Sequence, residues 1–127
     1  MAFSTAIGDA ILDHISGEAT WSAPSTIYMS VHTGDPGANG ANEADDIARQ
    51  EIAVGASSAK SAANTSEETF EQSGGTEQTI THVGLWAHET STDEANFIMG
   101  GELDDSKVID DGDSLVLAIG DATFTVT

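Results

Sequence analysis

The residues best suited to metal or acid–base chemistry are four histidines, His14, His32, His82 and His88. His82 and His88 bracket one strongly apolar stretch, and His32 closes an earlier one. A transition-metal site asks for ligands at recognisable spacing, such as HExxH or cysteine pairs. Neither pattern occurs and there is no cysteine, so the histidines read as structural. Carboxylates come in pairs at Asp45-Asp46, Glu67-Glu68, Asp104-Asp105 and Asp110-Asp111. A glycosidase needs two carboxyls facing each other across a sugar-sized cleft. Among 22 Asp+Glu residues such pairs arise from composition alone, and the simpler reading is a solvated surface. Asp110-Asp111-Gly112-Asp113 looks superficially like a calcium loop but lacks the alternating ligands and distal Glu of an EF-hand. Asp-Gly is first of all a hairpin signal. The glycine-rich run Gly34 to Gly40 has no GK[ST] and opens no helix, so it is not a phosphate cradle. No Ser–His–Asp order stands out. The expectation is a chain that is not an enzyme, with no catalytic, cofactor-binding or metal site.

The charge is extreme. Only Arg49, Lys60 and Lys107 oppose the carboxylates, giving a formal net charge of -19 over 127 residues. So acidic a domain repels itself in ordinary buffer, and molar salt, with a Debye length of about 3 Å, screens that repulsion. The composition therefore reads as adaptation to very high salt; the rival reading is selection for solubility or for a basic partner. Acidity argues against nucleic acid, whose phosphates need Lys and Arg, and against anionic membranes. Both arguments weaken in high salt. No apolar run approaches the ~20 residues that span a bilayer. The opening MAFSTAIGDAILDHISG lacks a basic n-region and carries Asp9 and Asp13, so a soluble protein without an export signal is expected. The absence of cysteine leaves the redox compartment open.

The elements that must position these residues are mostly strands. Ala6, Ile7, Ala10, Ile11, His14 and Ile15 recur at helical spacing, with Asp9 and Asp13 opposite. Ser4 or Thr5 is placed to cap that helix and Gly17 to stop it. Strands are expected at 26–32, 49–54, 68–72, 79–87, 96–103, 114–119 and 122–127. Between them lie a long loop at 34–43 and a polar loop at 89–94. The Ala/Ser-rich stretch 55–66 reads as an edge strand or a loop. In the best strand Ile80, His82, Gly84 and Trp86 share one face by strict alternation. Gly100-Gly101 signals a bulge or a close backbone approach. The fold class is mainly β: a β-sandwich or jelly-roll-like barrel of about seven short strands with one N-terminal helix. The expected organisation is a single domain, 1–127, with the helix in 1–17 and the sandwich in 25–127.

An ordered set of motifs runs through this framework. Tyr28-Met29-Ser30-Val31-His32-Thr33-Gly34-Asp35-Pro36-Gly37 is followed by Gly40-Ala41-Asn42-Glu43, then Ala48-Arg49-Gln50-Glu51-Ile52. Next come Ile80 to Trp86 (ITHVGLW), Gly100-Gly101-Glu102-Leu103 and Gly112-Asp113-Ser114-Leu115. The set resembles a family of small virion proteins of tailed viruses, the tail fibre or minor tail proteins. The resemblance spans nearly the whole chain. It departs in charge, since members from ordinary hosts are much less acidic; combined with the salt argument, this implies a virus of a haloarchaeal host.

The resemblance implies a non-enzymatic virion structural protein at the tail fibre or tail tip, active in assembly, with host attachment as a further role. Its implied partners are copies of itself, as a trimer, other virion proteins, and a host cell-surface glycoprotein or polysaccharide. Its implied location is the virion, assembled in the host cytoplasm. Two alternatives stand beside it: a capsid decoration or turret protein, and a carbohydrate-binding module or small envelope hydrolase. The motif residues also have plain structural roles. Gly34, Gly37 and Gly40 supply turn geometry, Pro36 stiffens the loop, and Trp86 anchors a core or interface. Arg49, the sole arginine, is expected to pair with a carboxylate.

Overall fold

Residues 3–127 are described by a computed structural model; Met1 and Ala2 of the expected N-terminal segment lie outside them. Helix α1 spans Thr5–Ser16. Ser4 is its N-cap and accepts a hydrogen bond from the Ile7 amide. The same hydroxyl donates to the Phe97 carbonyl, so the cap also fastens the helix to the sheet. Gly17 ends the helix in the left-handed conformation, φ 83°, which costs other residues about 1–2 kcal/mol. Ile7 is the one buried residue of α1, and Leu12 to Ser16 are all exposed. Only the first half of the predicted apolar stripe therefore packs on the domain.

Eight strands follow: β1 (Ile27–His32), β2 (Gln50–Ile52), β3 (Ser61–Ala63), β4 (Glu68–Glu71), β5 (Gln78–Trp86), β6 (Phe97–Ile109), β7 (Ser114–Leu117) and β8 (Ala122–Thr125). A 3-10 turn at Glu94–Asn96 precedes β6. Six strands form one antiparallel sheet in the order β2-β1-β5-β6-β8-β3. This sheet curls until its ends meet. The chain beyond β2 pairs with the chain beyond β3 through a Val54–Asn64 bridge and the bonds Gly55 N–H to Ala63 and Thr65 N–H to Ala53. β4 and β7 make a separate two-stranded ribbon, tied to the sheet by an Ile47–Gln72 bridge. The mainly β architecture with one N-terminal helix, expected from the sequence, is the observed one.

Alternation sorts the side chains into two sets. Met29 and Val31 of β1 pair with Leu85 and Val83 of β5 and share an apolar core with Phe70, Leu115 and Leu117 from the ribbon and Phe124 from β8. The opposite face carries Ser30, His32, Gly84, Trp86 and Phe97. The β5–β6 pairing departs from the strict pattern. Ile80 joins the core with Val83 and Leu85, not the His82 face, because the β5–β6 pairing shifts between Ile80 and His82. The shift places extra residues of β6 opposite Thr81, and β6 resumes pairing through Lys107 to Ile109. So β6 runs to Ile109, well beyond the predicted end at Leu103; its polar middle, Asp104-Asp105-Ser106, is exposed. The ambiguous 55–66 stretch holds a turn closed by Ser58 and Ser61, then the short strand β3.

Candidate functional site

The motif residues converge beneath the loop 33–49, on the face of the sheet opposite the main core. Trp86, 1% exposed, lies at the end of β5. Its ring meets Phe97 at a centroid distance of 4.9 Å and a tilt of 56°. Arg49, just before β2, lays its guanidinium over the indole, 3.7 Å from the ring centroid. That stacking is a cation–π contact strengthened by burial. The guanidinium edge grips Glu43 in bidentate fashion, Nε to Oε1 at 2.9 Å and Nη2 to Oε2 at 2.8 Å. Nη1 donates to the carbonyls of His88 and Ser91 at 3.0 and 2.9 Å. The expected carboxylate partner of Arg49 is thus Glu43 of the GANE motif, and the arginine also ties down the 88–91 turn.

A second chain of bonds starts at the indole nitrogen. Trp86 Nε1 donates to Ser30 Oγ at 2.8 Å, and Ser30 Oγ lies 2.6 Å from His32 Nε2. His32 Nδ1 is 2.7 Å from the Ala41 carbonyl. A carbonyl only accepts, so Nδ1 carries the proton and Nε2 accepts the Ser30 hydroxyl. Burial holds the His32 pKa below its usual value, and the Ala41 carbonyl only partly opposes that effect. The histidine is therefore neutral, and all bonds in the chain run one way.

Two glycines are required by this packing. A Cβ built on Gly40, φ 79°, falls 2.6 Å from the Trp86 ring, and one on Gly84 falls 2.7 Å from His32 Nε2. Any side chain at either place displaces the cluster.

The Ser30–His32 contact has the geometry of a nucleophile and its base. Its setting is different: Ser30 and His32 are 2% and 0% exposed, and a backbone carbonyl holds the far ring nitrogen. Four of the five arginine N–H groups are directed at Glu43, His88 and Ser91. The concavity beside this cluster, about 420 Å³, is lined by Glu43, Asp45, Asp46, Arg49, Glu89 and Thr90 among others.

The remaining histidines make local contacts, and the paired carboxylates either close turns or face solvent. His14 Nδ1 accepts from the Trp21 amide, and His88 Nδ1 accepts from the amides of Thr90 and Ser91. His82 contacts Thr81 Oγ1 at 2.7 Å and Glu102 at 3.9 Å. Among the described residues no group of three or more His, Asp or Glu is arranged to hold a metal ion. In the Asp110 to Asp113 turn, Asp113 accepts from the Asp110 amide, Asp110 from the Asp111 amide and Asp111 from the Gly74 amide. Asp104, Asp105 and Glu67 are surface residues. No described helix is long and apolar enough to cross a membrane.

Two buried amides went unnoticed in the sequence. Asn64 donates to Ser66 and Ala118 and accepts from Gly120 and Ala122, closing the 118–121 turn onto β3. Gln72 donates to Gly74 and Thr76 and accepts from Gln78. Nothing in their surroundings marks either residue. Ser30 misleads in the opposite way: a polar residue between Met29 and Val31 reads as a solvent-facing side by alternation, yet Ser30 is buried.

A family model described as Podophage GP4 fiber I protein gp80 matches residues 2–125. The chain belongs to this phage fibre family. No curated protein matches it. The match spans every strand and helix described above, and membership makes the chain a virion tail-fibre protein, in agreement with the resemblance read from its motifs. Within this gp80 family member the GANE, ARQ and ITHVGLW segments, distant in sequence, meet in one cluster: Gly40 and Arg49 on Trp86, and Glu43 on Arg49.

Proposed function

We propose that this chain is a non-enzymatic architectural subunit of the tail fibre. It assembles with copies of itself, as a trimer, and with other virion proteins, and it contributes to attachment at a host surface glycoprotein or polysaccharide. The observation that supports this most is the use of the motif residues. Arg49, Glu43, Trp86, Ser30 and His32 bind one another and the loop 33–49, which leaves them as fasteners of a rigid surface. The charge of -19 supports a high-salt setting, such as a haloarchaeal host.

The test is incubation of the purified protein with host envelope polysaccharide or glycoprotein in concentrated salt. Saturable binding without turnover is expected for an attachment role. Turnover that is abolished by one carboxylate or histidine substitution, with the fold intact, would replace this reading by a hydrolase. Neither binding nor turnover would confine the role to assembly.

A further inference from the structure

Two apolar features lie far apart on the same molecule and have no partner among the described residues. The first is the outer side of α1, where Leu12 and Ile15 are 65% and 74% exposed. They stand three residues apart, hence side by side on the helix. Asp9 is likewise three residues before Leu12, and Asp13 follows it, so the knob has an acidic border; both aspartates are exposed. The second feature is a cavity of about 370 Å³ lined by Phe3, Val54, Met99, Phe124, Val126 and Lys60 among others. Lys60 is exposed, is one of three cations in the chain, and makes no ion pair among the described residues.

The two cannot meet in one chain. Phe3 sits at the cavity and pairs with Met99, while Ile15 is at the far end of the helix that follows, about 15–18 Å away at 1.5 Å per residue. Lone apolar side chains on a surface are ordinary. A pair of them bordered by carboxylates, on a molecule that also carries an apolar cavity with a cation at its wall, is a complementary set. In a chain with so few cations, a lysine there favours an acidic-bordered occupant.

We infer that the Leu12–Ile15 knob of one copy seats in the Phe3–Phe124 cavity of the next, with Asp9 or Asp13 facing Lys60. Such a contact is heterologous: knob to cavity, head to tail. Repeated, it closes into a ring or continues as a filament. This inference rests on the self-assembly proposed above and specifies the surfaces that perform it.

The experiment is sedimentation velocity over a protein concentration series, at the lowest salt that keeps the chain folded by circular dichroism. Leu12→Asp and Lys60→Glu are expected to weaken self-association at least tenfold each. Both sites are exposed, so folding should persist. Mixed one to one, the two variants are expected to form a dimer that neither forms alone. The Lys60→Glu copy still has its knob, and the Leu12→Asp copy still has its cavity; a symmetric patch-to-patch contact would not be rescued this way. Wild-type self-association unaffected by either change, or no rescue on mixing, would overturn the knob-and-cavity contact while leaving self-assembly standing. A wild-type chain that stays monomeric throughout would overturn the contact and the proposed self-assembly together, without touching family membership.

Discussion

The Arg49 guanidinium stacks 3.7 Å over the Trp86 ring while its edge holds Glu43 through two hydrogen bonds. One side chain thus couples the end of β5, the start of β2 and the loop between β1 and β2. Arg49 has a side-chain exposure of 3% and Glu43 one of 25%. Losing one partner of a fully buried pair costs about 3–5 kcal/mol. The partial exposure of Glu43 lowers the expectation for Arg49→Ala to roughly 2–4 kcal/mol. Arg49→Lys should recover little, because a lysine supplies neither the planar stack nor the fork. Urea denaturation of both variants checks this; full rescue by lysine would reduce the contact to simple charge pairing.

Trp86→Ala should cost about 3–5 kcal/mol, the range for removing a large buried aromatic. It also leaves the Ser30 hydroxyl without its indole donor. A change so large relative to a small domain's total stability should be visible as a partly unfolded population by circular dichroism. Asp104→Asn, on the exposed part of β6, should stay within about 0.5 kcal/mol of wild type.

The glycines give an opposed pair. Gly40→Ala combines a left-handed φ of 79° with a Cβ 2.6 Å from the Trp86 ring and should destabilise by about 2–4 kcal/mol. Gly8 lies inside α1 with nothing within 4 Å of a built Cβ, so Gly8→Ala should stabilise by up to about 1 kcal/mol through helix propensity. Thermal melts of the two variants should move in opposite directions.

Much of this was readable in advance, for identifiable reasons. The α1 cap at Ser4, its stop at Gly17 and the strand Ile80 to Trp86 have strong local signals, and the structure follows them. That Arg49 needs a carboxylate follows from its being the sole arginine. Which carboxylate depends on how the loop 33–49 folds back on itself, and that Trp86 lies beneath depends on a contact between residues 37 apart in the chain; no local pattern encodes either. The run of β6 through Asp104-Asp105-Ser106 was hidden by its polarity; an exposed stretch of strand carries no apolar alternation. The core position of Ile80 depends on a register shift set by the partner strand, and β3 is too short for its composition to separate it from a loop.

Acid should loosen the cluster through His32. Its folded pKa lies below the unfolded value, about 6.5, so the unfolded chain binds the proton more readily. This contribution is fully present above the unfolded pKa and is lost as pH falls from there through the folded pKa. Protonation at Nε2 also removes the acceptor of the Ser30 hydroxyl. Urea midpoints of wild type and His32→Gln, compared between pH 7.5 and 5.5, should show a wild-type decline that the variant lacks. Parallel profiles would mean that His32 does not titrate on unfolding.

Folding should depend on salt. Twenty-two carboxylates against three cations, with Arg49–Glu43 the one Arg or Lys ion pair among the described residues, leave most of the charge repelling itself. The melting temperature should rise steadily from dilute buffer to molar KCl as screening shortens the Debye length from about 30 Å to about 3 Å. Equal melting temperatures at both ends would remove the case for a high-salt setting.

The central claim is that this chain is a built-in, repeated subunit of the tail fibre. Its most direct test is reconstruction of the purified virion with the chain labelled at an exposed site, combined with mass spectrometry of particles washed in high salt. The expected result is several symmetry-related copies in the fibre that remain bound through washing. Absence from washed particles, or copies confined to the capsid surface, would contradict it.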